Sequence, residues 1–264
     1  MKLAISNIAW KTENDVEMYA FLQEMGIQGL EIAPTRIFPE KPYERTVEGI
    51  EWAKDLKEQY GFEIPSIQSI WFGRNEKIFG NVKEREELLV YTEKAIDFAA
   101  AVGCKNLVFG CPRNRSFEGE YPKEIAEAFF RELGDYAYSK GTVLAMEANP
   151  VIYNTNFINE TAQAFELVKN VDSPGFLVNV DLGTMLYNQE APAVLEENME
   201  YVNHIHISEP GLALIEKRQL HKELADILRR SHYPKYVSVE MKTQDDLQCV
   251  KNTVMYVKEI FTDK

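Results

Sequence analysis

The chain has 264 residues, enough for one large α/β domain or two small ones. Its formal charge of −13 argues against nucleic acid and anionic membranes as partners, because their recognition calls for basic patches. Apolar and charged fractions of 45% and 27% are those of a soluble globular protein, and no stretch reaches the ~18 apolar residues of a membrane span. Three cysteines, Cys104, Cys111 and Cys249, show no CxxC spacing and fit a reducing compartment. The opening Met1–Ser6 lacks the apolar core of a signal peptide, so a cytoplasmic location is expected.

Short apolar runs at Lys2–Ser6, Gly29–Ala33, Glu63–Ile70, Asn106–Gly110, Thr142–Glu147, Phe176–Asp181, Val202–Ser208 and Tyr236–Met241 read as strands. Amphipathic patterns lie between them, at Asn14–Met25, Val47–Tyr60, Lys83–Val102, Lys123–Ser139, Glu160–Val168, Glu216–Arg230 and Gln244–Phe261, with a weaker one at Ala193–Asn198. Strict alternation implies a parallel sheet with right-handed crossovers. Eight such units predict a closed (β/α)8 TIM barrel, one domain over residues 1–264 with no linker to divide it. An open doubly wound sheet is the alternative, but Ser6–Ala9 holds no glycine for its phosphate turn.

The last four strand candidates each end in an ionisable residue: Glu147, Asp181, His206 and Glu240, at intervals of 34, 25 and 34 residues. A carboxylate or imidazole closing an apolar strand carries a desolvation cost that a partner must offset. Two residues back, on the same faces, lie Ala145, Asn179, His204 and Ser238, whereas Val178, Val180, Ile205, Ile207, Val237 and Val239 face the other way. A barrel would therefore have a polar lumen at its C-terminal mouth, where barrel active sites sit. Any one of the four residues has a simpler reading as a helix cap or ion-pair partner. Together they lack matching cations, with only Lys242 nearby, and so point to one shared divalent metal. Three carboxylates and one imidazole suit Mn2+ first, with Mg2+, Co2+ and Zn2+ also compatible. Asn179 and His204 are expected to support the ligands from behind.

The order Glu…Asp-x-Gly…His-x-His…Glu on the last four strands, with Met1–Asn7, Gly29–Pro34 and Val239–Met241, resembles the xylose isomerase-like TIM-barrel superfamily. This is the sugar phosphate isomerase/epimerase group. The resemblance implies that Glu147, Asp181, His206 and Glu240 bind the cation. It also implies that Glu147 and Glu240 serve as acid and base on a sugar or keto-polyol, through a cis-enediolate. Three positions depart from the pattern. Thr184 stands where many members carry histidine, and Tyr153 and Leu212 replace the Glu and Arg that contact sugar in ketose 3-epimerases, which argues against a free ketohexose. The DNA-repair branch needs a histidine-rich zinc site, and four histidines here rule it out. A metal-dependent lyase or dehydratase of keto-inositols or 3-keto-glycosides is the alternative on the same site. A non-catalytic sugar- or protein-binding barrel is a third class, which the intact quartet opposes.

Residues past the other strand ends are expected to line the mouth as substrate contacts: Asn7, Gln68, Trp71, Arg113, Asn149, Glu209 and Lys242. Trp71 would form an apolar wall against the sugar or simply pack in the core, and Arg113 with Arg115 would clamp an anion or belong to a solvated loop. Glu31 would bind a hydroxyl or pair with Arg36, and His221 would orient Glu209 or start a helix. A homo-oligomer is compatible with this reading, since barrels of this type commonly pair.

Overall fold

Seven parallel strands surround a common lumen in the computed structural model, which describes residues 1–262. They are β1 (Lys2–Ser6), β2 (Gly29–Glu31), β3 (Leu107–Phe109), β4 (Leu144–Glu147), β5 (Phe176–Asp181), β6 (Val202–Ile207) and β7 (Tyr236–Val239), hydrogen-bonded in the order β2-β1-β7-β6-β5-β4-β3. The gap between β2 and β3 is closed by residues 63–68. Leu30 N donates to Glu63 O at 2.9 Å, and Ile67 N donates to Asn106 O at 2.8 Å. The eighth strand expected at Glu63–Ile70 is thus reduced to isolated bridges. Pro65 explains the reduction, since it has no amide hydrogen to give to the ladder. With this stave in place, the fold is a (β/α)8 barrel.

Helices α1 (Asp15–Glu24), α3 (Thr46–Tyr60), α4 (Val82–Ala101), α5 (Lys123–Ser139), α6 (Thr161–Val171), α8 (Gln219–Arg230) and α9 (Leu247–Thr262) match the amphipathic patterns. Their ends follow local chemistry. Asn81 Oδ1 accepts from Glu84 N at 3.0 Å to start α4, and Gly61 ends α3 with φ +79°. Two short helices were not expected, α2 (Pro34–Ile37) and α7 (Leu182–Asn188), and the weak pattern near residues 193–198 is a 3-10 helix, Pro192–Tyr201. Among the described residues, no helix is long and apolar enough to cross a membrane.

Strand parity orders the interior. Val178, Val180, Ile205, Ile207, Val237 and Val239 are buried in the hydrophobic core, while Asn179, His204, His206 and Ser238 are buried on the opposite strand faces. Between β5 and β6 the register slips by one residue. Val178 pairs with Val202, but Asn179 pairs with His204 and Asp181 with His206. The extra residue, Asn203, bonds to Asn106 Oδ1 instead. This bulge aligns both histidines with the polar residues of β5.

Candidate metal centre

Glu147 closes β4, Asp181 closes β5, His206 lies near the end of β6, and Glu240 directly follows β7. One donor atom from each of these four residues falls within 4.8 Å of all the others. His206 Nδ1 is at the middle, 3.0 Å from Glu147 Oε1 and 3.1 Å from Glu240 Oε2. Beside the quartet is a cavity of about 230 Å3, lined by Glu147, Asp181 and Glu240 together with Gln68, Tyr153 and Leu212. No lysine or arginine lines it among the described residues. Larger hollows hold none of the quartet, among them one of about 510 Å3 around Lys2, Lys57 and Lys235 and one of about 410 Å3 beside Tyr121 and Phe157.

Each carboxylate is held by neighbours. Asp181 caps α7: its Oδ1 accepts from Thr184 N at 2.6 Å, with the Thr184 hydroxyl also 2.8 Å away. Its Oδ2 accepts from the Ser208 hydroxyl, which itself accepts from Gly183 N at 2.8 Å. Glu147 accepts from Asn179 Nδ2 at 2.8 Å and from Asn149 Nδ2 at 3.1 Å. Behind Asn149 sits the fully buried guanidinium of Arg115, donating to Asn149 Oδ1 at 2.9 Å and to Glu147 O at 2.8 Å. Arg115 is therefore internal and not a rim residue.

A second polar group lies on the other edge of His206. Glu31, closing β2, places Oε2 2.9 Å from His206 Nε2 and 3.2 Å from His204 Nε2. It does not pair with Arg36, which is bound to Asp15 at 2.6 Å. Burial works to raise the Glu31 carboxyl, but the imidazoles of His206 and His204 outweigh it and hold it below the usual carboxylate range. Burial and the charge of Glu147 push Asp181 up to about 6, and burial pushes Glu240 up to about 7 against the imidazole of His206. Burial opposes protonation of His206, yet Glu31 and Glu240 together raise it well above the usual imidazole range.

These shifts test the donor set. Three carboxylates converge where the nearest positive charge is a proton on His206, so the cluster is short of cation. Three oxygens and one imidazole nitrogen within mutual reach suit a divalent metal, which would replace that proton. The chemistry of the residues present therefore fits the group.

A family model described as xylose isomerase-like TIM barrel matches residues 19–259. The chain belongs to the xylose isomerase-like TIM-barrel family. A relative from Escherichia coli (strain K12), a 3-dehydro-D-guloside 4-epimerase, is 24% identical across 98% of this chain and 99% of its own length. The solved structure of an E. coli 3-keto-D-glucoside 4-epimerase superposes with a TM-score of 0.79 at 22% identity, covering 98% of this chain and 99% of that one. A D-psicose 3-epimerase crystallised with D-fructose gives 0.80 at 14% identity, with 100% of both chains covered.

Within this xylose isomerase-like barrel, the other residues singled out from sequence divide into two groups. Gln68 and Asn149 line the cavity beside the quartet, as do Tyr153 and Leu212, the two positions that depart from the ketose 3-epimerase pattern. The remaining expected substrate contacts do not line it. Asn7 is buried with Oδ1 accepting from Ala33 N at 3.0 Å, tying β1 to the end of β2. Trp71 is a core residue, its indole donating to Thr92 Oγ1 at 2.8 Å and its ring edge-on to Phe109 at 4.7 Å. Arg113 and Lys242 carry exposed side chains. Glu209 is drawn into an ion pair with Arg218 at 2.6 Å, and the His221 ring bonds Tyr256 at 2.9 Å instead of Glu209. Asn179 and His204 both stand behind the quartet, as expected from parity. Ser208, which bonds Asp181, shares the parity of His204 and His206, and that alternation is the sequence signal that marks it.

Proposed function

We propose that this barrel is a divalent-metal-dependent epimerase of an uncharged keto sugar, acting at the carbon next to the ketone. The observation that carries the reading is the pair of carboxylates on Glu147 and Glu240. They arise three staves apart, border the same cavity, and approach the same nitrogen of His206. A hydrogen on carbon beside a carbonyl is acidic, and its removal leaves a cis-enediolate that can take a proton back on either face. One glutamate takes the proton from one face and the other returns one on the opposite face, which inverts that carbon with no net change in composition. A divalent cation held by Glu147, Asp181, His206 and Glu240 would supply Lewis-acid polarisation of the ketone oxygen. Mn2+ is the first choice for this oxygen-rich set.

The lining of the cavity supports an uncharged substrate. Three carboxylates exceed the charge of one divalent ion, and among the described residues no basic side chain lines the cavity to receive a phosphate or uronate. Tyr153 accepts from Gly211 N at 3.0 Å, which leaves its hydroxyl proton for a substrate oxygen. A phenol and the aliphatic Leu212 in place of Glu and Arg favour a keto-glycoside over a free ketohexose, in keeping with the E. coli relative. The test is the Mn2+-loaded protein with a methyl 3-keto-glucoside in D2O. The expected product is the C4 epimer carrying deuterium at C4, with no methanol released. Glu147→Gln and Glu240→Gln are each expected to lower kcat by about 10²–10⁴-fold. Release of methanol would assign the lyase chemistry instead, and turnover that survives chelation would defeat the metal reading.

A further inference from the structure

We propose that Glu31 is a positioning residue for His206, selecting which ring nitrogen faces the metal; the inference rests on the metal reading above. Glu31 is wholly buried on β2, three staves from β6, so its carboxylate reaches across the lumen to the imidazole. No lysine or arginine is ion-paired to it among the described residues, and its partners are His206 Nε2 at 2.9 Å and His204 Nε2 at 3.2 Å. An ionised carboxylate only accepts hydrogen bonds, so once a cation engages Glu147 and Glu240 on the Nδ1 side, the proton of a neutral His206 resides on Nε2, facing Glu31. The lone pair then falls on Nδ1, the atom that Glu147 and Glu240 approach at 3.0 and 3.1 Å. His204 backs the same carboxylate from one layer deeper, its ring perpendicular to that of His206 at 5.4 Å. Without Glu31 the Nε2–H loses its carboxylate acceptor, which leaves the contact of Asn179 Nδ2 with Nδ1 at 3.3 Å to favour that tautomer and loosens the hold on the ring. A carboxylate behind a ligating histidine also raises the basicity of the ligand.

The experiment uses the full-length protein stripped of metal. Calorimetric titration with Mn2+ is expected to give a Kd about 10–100-fold weaker for Glu31→Ala than for wild type. Glu31→Gln, whose amide oxygen still accepts from Nε2–H, should recover part of the loss. Spectra of 15N-histidine-labelled, Zn2+-loaded wild type supply the second readout, with only four histidines to resolve. The His206 signals, identified by their disappearance in His206→Gln, should show Nε2 protonated and Nδ1 on the metal. A proton on Nδ1 in the wild type would overturn the proposal whether or not the Ala variant folds. So would a lowered melting temperature with an unchanged Kd, which marks a purely structural carboxylate. A wild type that binds neither ion defeats the metal reading itself, an outcome distinct from wild type and variants binding equally.

Discussion

Glu147 reaches the centre because its neighbour across the strand end has no side chain. A β-carbon on Gly110 would lie 2.8 Å from Glu147 Oε2 and 3.5 Å from Asn149 Oδ1. Gly110→Ala should therefore displace that carboxylate while leaving the fold nearly intact. The expected result is a Kd for Mn2+ weaker by about tenfold, ~1.4 kcal/mol, with stability changed by less than ~1 kcal/mol. Calorimetry alongside thermal melting would check both, and an unchanged Kd would refute the steric argument. Thr184 shows how a departure from the family pattern is absorbed. In place of a second histidine, it gives an amide and a hydroxyl to Asp181. Sequence parity located Glu147, Asp181, His206, Glu240, Asn179 and His204, because alternation along a strand decides which residues share a face. Position just past a strand end is a weaker guide, as at Trp71 and Glu209, whose side chains turn toward partners, Thr92 and Arg218, that are chosen by packing.

At the scale of elements, Asp181 at the end of β5 has two tasks: it caps α7 through Thr184 N, and in the proposed reading it holds the metal. The tasks separate in Asp181→Asn. Asparagine caps a helix about as well as aspartate, so stability should fall by no more than ~1 kcal/mol while metal binding drops sharply. Melting curves and Mn2+ titration would test this, and a variant that unfolds at ambient temperature would show that the cap was misjudged. Helix α7 itself was invisible in the sequence because seven residues span too few turns to display a 3.6-residue period. The bridges at residues 63–68 resemble a full strand in sequence because the apolar pattern continues through Pro65, whose missing donor is a backbone property. The extra residue at Asn203 was equally hidden, since a bulge is defined only against the partner strand.

For the molecule as a whole, the crowded carboxylates couple protons, metal and stability. Asp181 and Glu240 are raised to about 6 and about 7, and His206 is raised as well, so these three groups hold more protons in the metal-free folded chain than in the unfolded one, while His204 and His221, both lowered by burial, work against them. Stability from these groups is fully present below their unfolded values and is lost as pH climbs through the folded ones. The metal-free protein should thus melt at a lower temperature near about pH 8 than near about pH 5.5. Mn2+ should stabilise it more at the higher pH, where protons no longer compete, by about 2.7 kcal/mol at a hundredfold excess over Kd. Scanning calorimetry with and without chelator would measure both trends, and a metal-free protein that grows more stable over that interval would contradict the account.

Local periodicity was enough to specify the (β/α)8 repeat and the four strand ends that converge, because strand alternation and helix amphipathicity are written within a few consecutive residues. What lies across the lumen was decided only by closure of the barrel. Glu31 and His206 are 175 residues apart, and their contact depends on strand tilt and stagger, which no single segment encodes. The same closure turned Arg115 inward behind Glu147 and left Arg113, two residues away, in solvent.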